Sequence, residues 1–164
     1  MQSRVSWVTE VGLLAAFITI TGMFKLPSLF PGTEFQLSAP LAVAICAVFG
    51  FSKYITAGLL SSAVGLILGT QTVLNVFVAL VFRLTVGIIL LALGRSWPVV
   101  MLAGPIGSAV ARLALGGIVG KAVIPLLVAA VPGLVFTAVL ACPLTALLKR
   151  IKEQRKVIGH AMQR

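Results

Sequence analysis

Two arginines and a few amide side chains lie inside segments of this chain that are otherwise apolar. Arg83 falls in the run VALVFRLTVG, about twelve residues after Gln71, and Arg112 follows Ser108 in the run SAVARLALGG. A cation at the centre of a bilayer costs at least about 2.5 kcal/mol, so it normally faces a cavity or a partner. Because a guanidinium binds carboxylates in a bidentate geometry, these residues suit a small ligand with a carboxylate or another anionic group.

The spacing places the polar residues of each segment on one face of a helix. At about 100° per residue, Gln71, Asn75 and Arg83 fall within an arc of about 120°. Ser108 and Arg112 form a similar face on the following apolar segment. A structural interpretation stays open for both arginines: Arg83 extends towards the cytoplasm, and Arg112 bonds backbone carbonyls near Gly116.

A polar loop, KLPSLFPGTEFQLSAP, separates the first two apolar runs and holds one of the three acidic residues of the chain. Glu34 and Gln36 are the candidate site residues of this loop. Because Pro31-Gly32 predicts a turn and the flanking residues are apolar, the loop is a candidate lid over an outward-facing cavity. The alternative is an exposed loop with a solvated glutamate.

Composition indicates a membrane protein. Hydrophobic residues make up 60% of the chain and charged residues 10%, whereas soluble domains have about 25% charged residues. We expect an all-α integral membrane protein with six transmembrane helices in a compact bundle, the second and third of them short. The predicted domains are a transmembrane substrate-binding domain over 1–148 and a basic cytoplasmic tail over 149–164. The six apolar segments are 5–24, 37–51, 54–69, 71–94, 97–118 and 122–148.

The positive charges predict the orientation. The formal net charge is +10, but the cations scatter along the chain, at or between the spans, with the rest in the tail, and this argues against nucleic acid as a partner. With both termini in the cytoplasm, Arg4, Lys53, Arg95 and the tail face the inside, and Lys25 and Lys121 face the outside. This is the asymmetry of the positive-inside rule.

Several kinds of chemistry lack their residues in this sequence. His160, in the tail, is the only histidine, so no histidine-based triad or metal cluster is predicted. The second to sixth apolar segments hold no acid, and no glycine-rich phosphate-binding motif is present. We therefore expect a protein that is not an enzyme, has no cofactor and no ATPase site, and depends on a partner for any energy input.

The chain resembles the substrate-binding S component of an energy-coupling factor (ECF) vitamin transporter. The resemblance lies in the six-span layout, the first-span pattern VGLLAAFITITG and the loop KLPSLFPGTEFQLSAP. It continues in LAVAICAVFGFSKYITAGLLSSAVGLILG, an apolar second span, a short inside turn and a Gly/Ala-rich third span.

The resemblance implies a multi-pass protein of a prokaryotic cell membrane that binds a vitamin near the outer side, beneath the first loop and against spans four to six. A transmembrane coupling protein and two cytoplasmic ATPase subunits would be its partners. Docking onto the coupling protein would use a small-x-x-x-small pattern of the first span, either Gly12 with Ala16 or Ala15 with Thr19. The site residues that it implies are Glu34, Gln36, Gln71, Asn75, Arg83 and Arg112, beside which Ser108 lies on the face of Arg112.

Three functions compete at this point. The first is a high-affinity binding subunit for uptake of a small, anionic vitamin or related micronutrient. The second is a non-catalytic membrane scaffold or assembly protein, in which the arginines join helices. The third, a membrane enzyme acting on lipid, is disfavoured because the sequence offers no acid/base pair.

Overall fold

The computed structural model describes residues 2–23, 25–27, 34–36, 38–119 and 123–161, which form six α-helices and one short β hairpin. The hairpin pairs β1 (Lys25–Pro27) antiparallel with β2 (Glu34–Gln36). The order of the helices agrees with the six apolar segments, whereas the all-α prediction did not include the hairpin. The helices are α1 (Gln2–Met23), α2 (Ser38–Phe49), α3 (Phe51–Ile67), α4 (Val73–Ala92), α5 (Trp97–Val119) and α6 (Val123–Ala161).

Four of the helices in the described ranges are long and apolar enough to cross a membrane: α1, α4, α5 and α6. The other two are shorter, as the sequence predicts, with 12 residues in α2 and 17 in α3. At about 1.5 Å per residue α2 is only about 18 Å long, less than the ~30 Å thickness of the hydrocarbon core.

The short helix α2 forms the centre of the bundle. Its residues from Pro40 to Val48 are all buried, and it packs against α1, α3, α4, α5 and α6. A helix that is apolar on every side is buried rather than amphipathic. The longer helices therefore surround α2, which explains how a segment too short to span alone fits the fold.

Glycines bring the surrounding helices close together. A Cβ added at Gly104 would lie 2.5 Å from Cγ2 of Thr137 on α6, and one added at Gly107 would lie 2.8 Å from Cγ2 of Val86 on α4. Small residues let helices approach closely within lipid, where dispersion contacts replace the hydrophobic effect as the driving force. The glycines of α5 thus set its distance from two neighbours.

Gly50 makes the turn between α2 and α3, and we call this end of the bundle the Gly50 end. Its φ of 90° lies in a region that only glycine adopts readily. The last helix returns to this turn, where Nζ of Lys152 donates to the carbonyl oxygen of Val48 (2.7 Å) and lies 5.1 Å from the centre of the Phe49 ring. The segment predicted as a tail from residue 149 thus continues α6 as far as Ala161.

Further cations lie at the Gly50 end. Lys53 forms an ion pair with Glu10 of α1 at 2.5 Å between Nζ and Oε2, and Nη2 of Arg95 would be 3.6 Å from a Cβ added at Gly50. The Glu10–Lys53 pair was not predicted from the sequence, although an acid inside the first apolar segment is a signal that a basic partner is needed. Lys53, Arg95 and Lys152 therefore share one end of the bundle.

The turn at Gly50 provides a test of this packing. We expect Gly50→Ala to lower the free energy of unfolding by about 1–2 kcal/mol, because an L-residue is strained at positive φ. The matched control is Gly12→Ala, at a helical glycine with nothing within 4 Å of an added Cβ, which should leave stability unchanged or raise it by up to about 1 kcal/mol. Denaturant titration in detergent measures the free energy of unfolding of both variants. Equal values for Gly50→Ala and Gly12→Ala would contradict the role of Gly50 in the turn.

Candidate anion-binding site

Arg83 is buried where α3 and α4 pack together. Its side chain is 5% exposed, and Nη1 donates a hydrogen bond to Oγ of Ser62 on α3 at 2.8 Å. Gly58, one turn away on the same face of α3, leaves the space for the arginine, since an added Cβ would lie 2.6 Å from Cδ of Arg83 and closer still to Nε. The sequence therefore accommodates a buried guanidinium with one glycine and one serine.

The side chain of Arg83 extends along α3. Its Cδ and Nε lie beside Gly58, and its Nη1 reaches Ser62, four residues further along that helix. The guanidinium thus points towards the turn between α3 and α4, which contains Gln71 and which we call the Gln71 end. The bond from the α-carbon to the β-carbon of a residue on α4 tilts the same way, because such bonds tilt towards the N-terminus of their helix.

A polar recess opens at the Gln71 end, directly beyond the guanidinium. It has a volume of about 40 Å³, room for roughly three waters at ~10–15 Å³ each in that measure. Ala79 is one helical turn from Arg83 on α4, and Gly65 is about one turn from Ser62 on α3, so the arginine lies just below the floor of the recess. Its lining residues are Thr19, Gly22, Met23, Gly65, Thr70, Gln71, Asn75 and Ala79.

Gln71 lies across the end of α3. Its backbone N–H and that of Thr70 both donate to the carbonyl oxygen of Gly65, at 3.1 and 3.0 Å. An added Cβ at Gly65 would lie 2.9 Å from Cδ of Gln71. The side-chain amide of Gln71 therefore occupies space that only a glycine leaves open. Oε1 of Gln71 is buried and has no hydrogen-bond partner among the described residues.

Asn75 belongs to the first turn of α4. Its backbone N–H donates a hydrogen bond to Oγ1 of the N-cap residue Thr72 at 3.3 Å. Its side chain lines the recess. Asn75 and Arg83 thus lie on the face of α4 that is turned to the recess and to α3, as the sequence predicts, whereas Gln71 lies in the turn before α4 begins and reaches the recess from there.

Arg112 has a different environment. Its Nη1 donates to the carbonyl oxygen of Ser108 on its own helix, at 3.4 Å. The structural interpretation of the sequence anticipated a backbone bond of this kind near Gly116, whereas the acceptor is the carbonyl of Ser108, one turn before the arginine. Neither Arg112 nor Ser108 is among the residues that line the recess, so the structure does not bring the two arginines together at that cavity.

The described part of the structure does not include the side chains of two predicted site residues, nor the predicted turn of their loop. Glu34 and Gln36 lie in β2, where only the backbone is described, and residues 28–33 are outside the described residues. In the remainder, no group of three His, Cys, Asp or Glu residues could hold a metal ion.

The structure places the two candidate docking pairs on different faces of α1. Ala15 is buried, and Oγ1 of Thr19 lies 3.0 Å from Oγ of Ser61 on α3 and lines the recess. Gly12 and Ala16 are exposed, with nothing within 4 Å of a Cβ added at Gly12. Of the two candidate pairs, only Gly12 with Ala16 therefore lies on the exposed surface of α1.

Sequence reasoning did not assign Ser62 and Gly58 to the site of Arg83. Both belong to a run of small residues on the third span, Gly58, Ser61, Ser62, Gly65 and Gly69, which indicates helix packing. The signal that could have identified them is the combination of that run with an arginine on the next helix, because a buried guanidinium needs both space and an acceptor.

Comparison with known proteins identifies one similar chain. A protein named BioX, from Lysinibacillus sphaericus, is 51% identical over 152 residues, which cover 93% of this chain and 90% of that protein. No protein-family profile matches the chain, and no solved structure matches it.

The hydrogen bond between Arg83 and Ser62 can be tested with a double-mutant cycle. We expect Ser62→Ala to lower the free energy of unfolding by about 1–3 kcal/mol, because it removes the acceptor of a buried charged donor. The same change in an Arg83→Met background should cost less than about 0.5 kcal/mol, since no donor is left unpaired. Equal costs in both backgrounds, measured by denaturant titration in detergent, would show that the two residues are not coupled.

Proposed function

The chain belongs to the family of Protein BioX, and from that membership we propose that it is the substrate-binding subunit, of the S-component type, of a membrane transporter for a small anionic vitamin or related micronutrient. The observation that carries the proposal is the buried Arg83 beneath a polar recess. An isolated buried charge is unfavourable, and a guanidinium has five N–H donors, of which Ser62 takes one. A carboxylate entering the recess would supply both the missing charge and the missing acceptors.

The polar groups of the site support a ligand that is polar at both ends. Asn75 and Arg83 are eight residues apart on α4, and the Arg83 side chain extends from its helix towards the recess that Asn75 lines. The amides of Gln71 and Asn75 suit a head group that donates and accepts hydrogen bonds, and Arg83 suits an acid at the other end. The name of the BioX relative makes biotin, which has a ureido head and a carboxylate tail, the first ligand to test.

Binding such a ligand requires the recess to widen. The present volume of about 40 Å³ fits a carboxylate group, not a whole vitamin. We propose that the recess widens where the end of α1, with Gly22 and Met23 in the lining, leads into the loop of the β hairpin. We propose that this loop is a lid in which Glu34 and Gln36 face the ligand, and that Ser108 and Arg112 are a second polar arm on α5.

The orientation in the membrane follows from the cations. Lys53, Arg95 and Lys152 share the Gly50 end, and such an excess of Lys and Arg marks the cytoplasmic side. We propose six transmembrane helices with both termini in the cytoplasm of a prokaryotic cell, so that the recess at the Gln71 end opens to the outside. The basic segment from residue 149 then lies at the inner membrane surface, as the continuation of α6.

The source of energy is proposed to be external. The chain has no glycine-rich phosphate-binding motif, so a transmembrane coupling protein and two cytoplasmic ATPase subunits would drive uptake. Gly12 and Ala16 on the exposed face of α1 are the proposed docking residues, because small residues at i and i+4 let two helices come into contact. Ala15 and Thr19, the alternative pair, face α3 instead.

A scaffold protein without a ligand is the second candidate. Its support is the bond of Arg112 to the carbonyl of Ser108 and the bond of Arg83 to Ser62, which would be structural in such a protein. The two functions differ in whether loss of an arginine changes binding or only stability.

The first test is the loss of the central charge. We expect Arg83→Gln to weaken equilibrium binding of biotin in detergent about 10–100-fold, since a charge-assisted hydrogen bond contributes about 1.5–3 kcal/mol. Arg83→Lys should recover part of the loss, because an ammonium cannot form the bidentate contact. Arg112→Gln should have a smaller effect in the same direction.

Melting temperature recorded on the same samples separates the two functions. The binding subunit predicts a folded Arg83→Gln protein with weakened binding. Binding that survives both arginine substitutions while the melting temperature falls would show that the arginines are structural.

The second test concerns the docking face. Gly12→Leu with Ala16→Leu should leave ligand affinity unchanged within about threefold and abolish co-purification with the coupling protein, since leucines block close helix contact. The matched control is Gly117→Leu with Ala63→Leu: both residues are exposed, and Gly117 also has nothing within 4 Å of an added Cβ. Co-purification that withstands the α1 changes, or is lost equally with the control, would remove Gly12 and Ala16 from the interface.

A further inference from the structure

The side-chain oxygen of Gln71 is a buried acceptor beside the recess. Oε1 has no hydrogen-bond partner in the described part of the chain, and Gln71 is one of the residues that line the cavity. A buried carbonyl oxygen without a partner is unfavourable, because it has lost its bonds to water without replacement. At the recess there is thus an acceptor for which the described residues supply no donor.

Contacts with the end of α3 hold Gln71 in this position. Its backbone N–H donates to the carbonyl oxygen of Gly65 at 3.1 Å. A Cβ added at Gly65 would lie 2.9 Å from Cδ of Gln71 and 3.2 Å from its Nε2, so the side chain lies directly against the glycine. A glutamine that only extends into solvent needs neither contact, whereas a glutamine that presents its amide to a ligand benefits from both.

The amide of Gln71 follows the guanidinium of Arg83 along one face of α3. Gly58 and Gly65 are seven residues apart, about two helical turns, and therefore share that face. Arg83 lies against Gly58 and bonds Ser62, and Gln71 lies against Gly65. The face thus carries N–H donors at depth and an acceptor nearer the Gln71 end.

The hydroxyl groups of the recess cannot supply the missing donor as they are placed. Oγ1 of Thr19 donates to the carbonyl oxygen of Ala15 at 2.8 Å, and Oγ1 of Thr70 donates to that of Gly65 at 3.2 Å. A hydroxyl has one hydrogen to donate, so both are engaged by the backbone. An N–H group that enters with a ligand would complement the oxygen of Gln71.

We propose that Gln71 determines the class of ligand, because its Oε1 accepts a hydrogen bond from a ligand N–H. The site then selects acids that also carry an N–H donor, as ureido, lactam and amide groups do, over acids without one. The proposal rests on the proposed function, in which the recess widens at the end of α1 to admit a small acid whose carboxylate reaches Arg83. Widening uncovers Oε1, which the present packing covers.

The affinity test pairs a change in the protein with a change in the ligand. We expect Gln71→Met, which keeps an unbranched side chain and removes its acceptor, to weaken binding of biotin in detergent about 3–10-fold, the effect of one neutral hydrogen bond. Binding of N,N′-dimethylbiotin, whose ureido nitrogens carry no hydrogen, should change by less than about twofold. The bulk of the methyl groups affects both proteins alike and cancels in the comparison.

The matched control is Gln154→Met, the same substitution at an exposed glutamine of α6, which should change neither affinity. The melting temperature of Gln71→Met should stay the same or rise, because the substitution removes an unpaired buried oxygen. If Gln71→Met weakens binding of both ligands by the same factor, Gln71 only packs against the ligand and the inference is overturned.

A spectroscopic test does not depend on the acid group of the ligand. Protein labelled with ¹³C at the side-chain carbonyl of glutamine gives a resonance for Gln71, which is identified by its absence from Gln71→Met. Its position reports hydrogen bonding of the oxygen. The probe 2-imidazolidinone, the ureido ring of biotin without its acid, should shift this resonance, and 1,3-dimethyl-2-imidazolidinone should shift it less.

The outcomes separate this inference from the proposed function. If biotin binds the wild-type protein and Gln71→Met equally, the role of Gln71 is overturned while the binding function stands. If biotin does not bind the wild-type protein, the two imidazolidinones decide. A resonance that moves further with the ring that carries N–H groups supports the inference, and equal shifts, or none, overturn it.

Discussion

A single buried guanidinium dictates how α3 and α4 pack. Arg83 lies in an apolar bundle, 5% exposed, where a charge is tolerated only with space, an acceptor and a compensating group. Gly58 provides the space and Ser62 provides the acceptor. No described side chain provides the compensating charge, since the ion pair of Glu10 is with Lys53 at the Gly50 end. Among the described residues, Arg83 is thus a buried cation without a paired anion.

The two ends of the bundle differ in how their polar groups are paired. At the Gly50 end, Lys152 bonds the last turn of α2 and Lys53 bonds Glu10, so several helices are joined by charge-assisted contacts. At the Gln71 end, the recess is lined by hydroxyl and amide groups, and Oε1 of Gln71 has no partner among the described residues. A fold with its fixed contacts at one end and unpaired polar groups at the other can change shape at the second end at lower cost.

Much of the helical layout could be read from residues in sequence. The apolar runs locate all six helices, the brevity of the second and third runs corresponds to α2 and α3, and the spacing of Asn75 and Arg83 places them on one face of α4. Gln71, predicted on the same helix, lies in the turn before it. The hairpin was not predicted, because β1 and β2 have three residues each and are too short to show an alternating hydrophobic pattern. The continuation of α6 to Ala161 was not foreseen either, since a basic segment after an apolar run looks the same in sequence whether it is helical or not.

The sequence by itself therefore determined which residues are confined to helices in an apolar environment and which faces of α4 and α5 carry polar side chains, because hydrophobic burial and the 3.6-residue period act locally along the chain. Only the tertiary structure decided which polar faces meet. It paired Arg83 with Ser62 and left Arg112 on its own helix at Ser108, although the two arginines look alike in sequence. It also turned Ala15 inward and Gly12 and Ala16 outward. These choices depend on contacts between residues far apart in the chain, where a glycine such as Gly58 sets the distance between two helices, and that distance is a property of the pair and not of either segment.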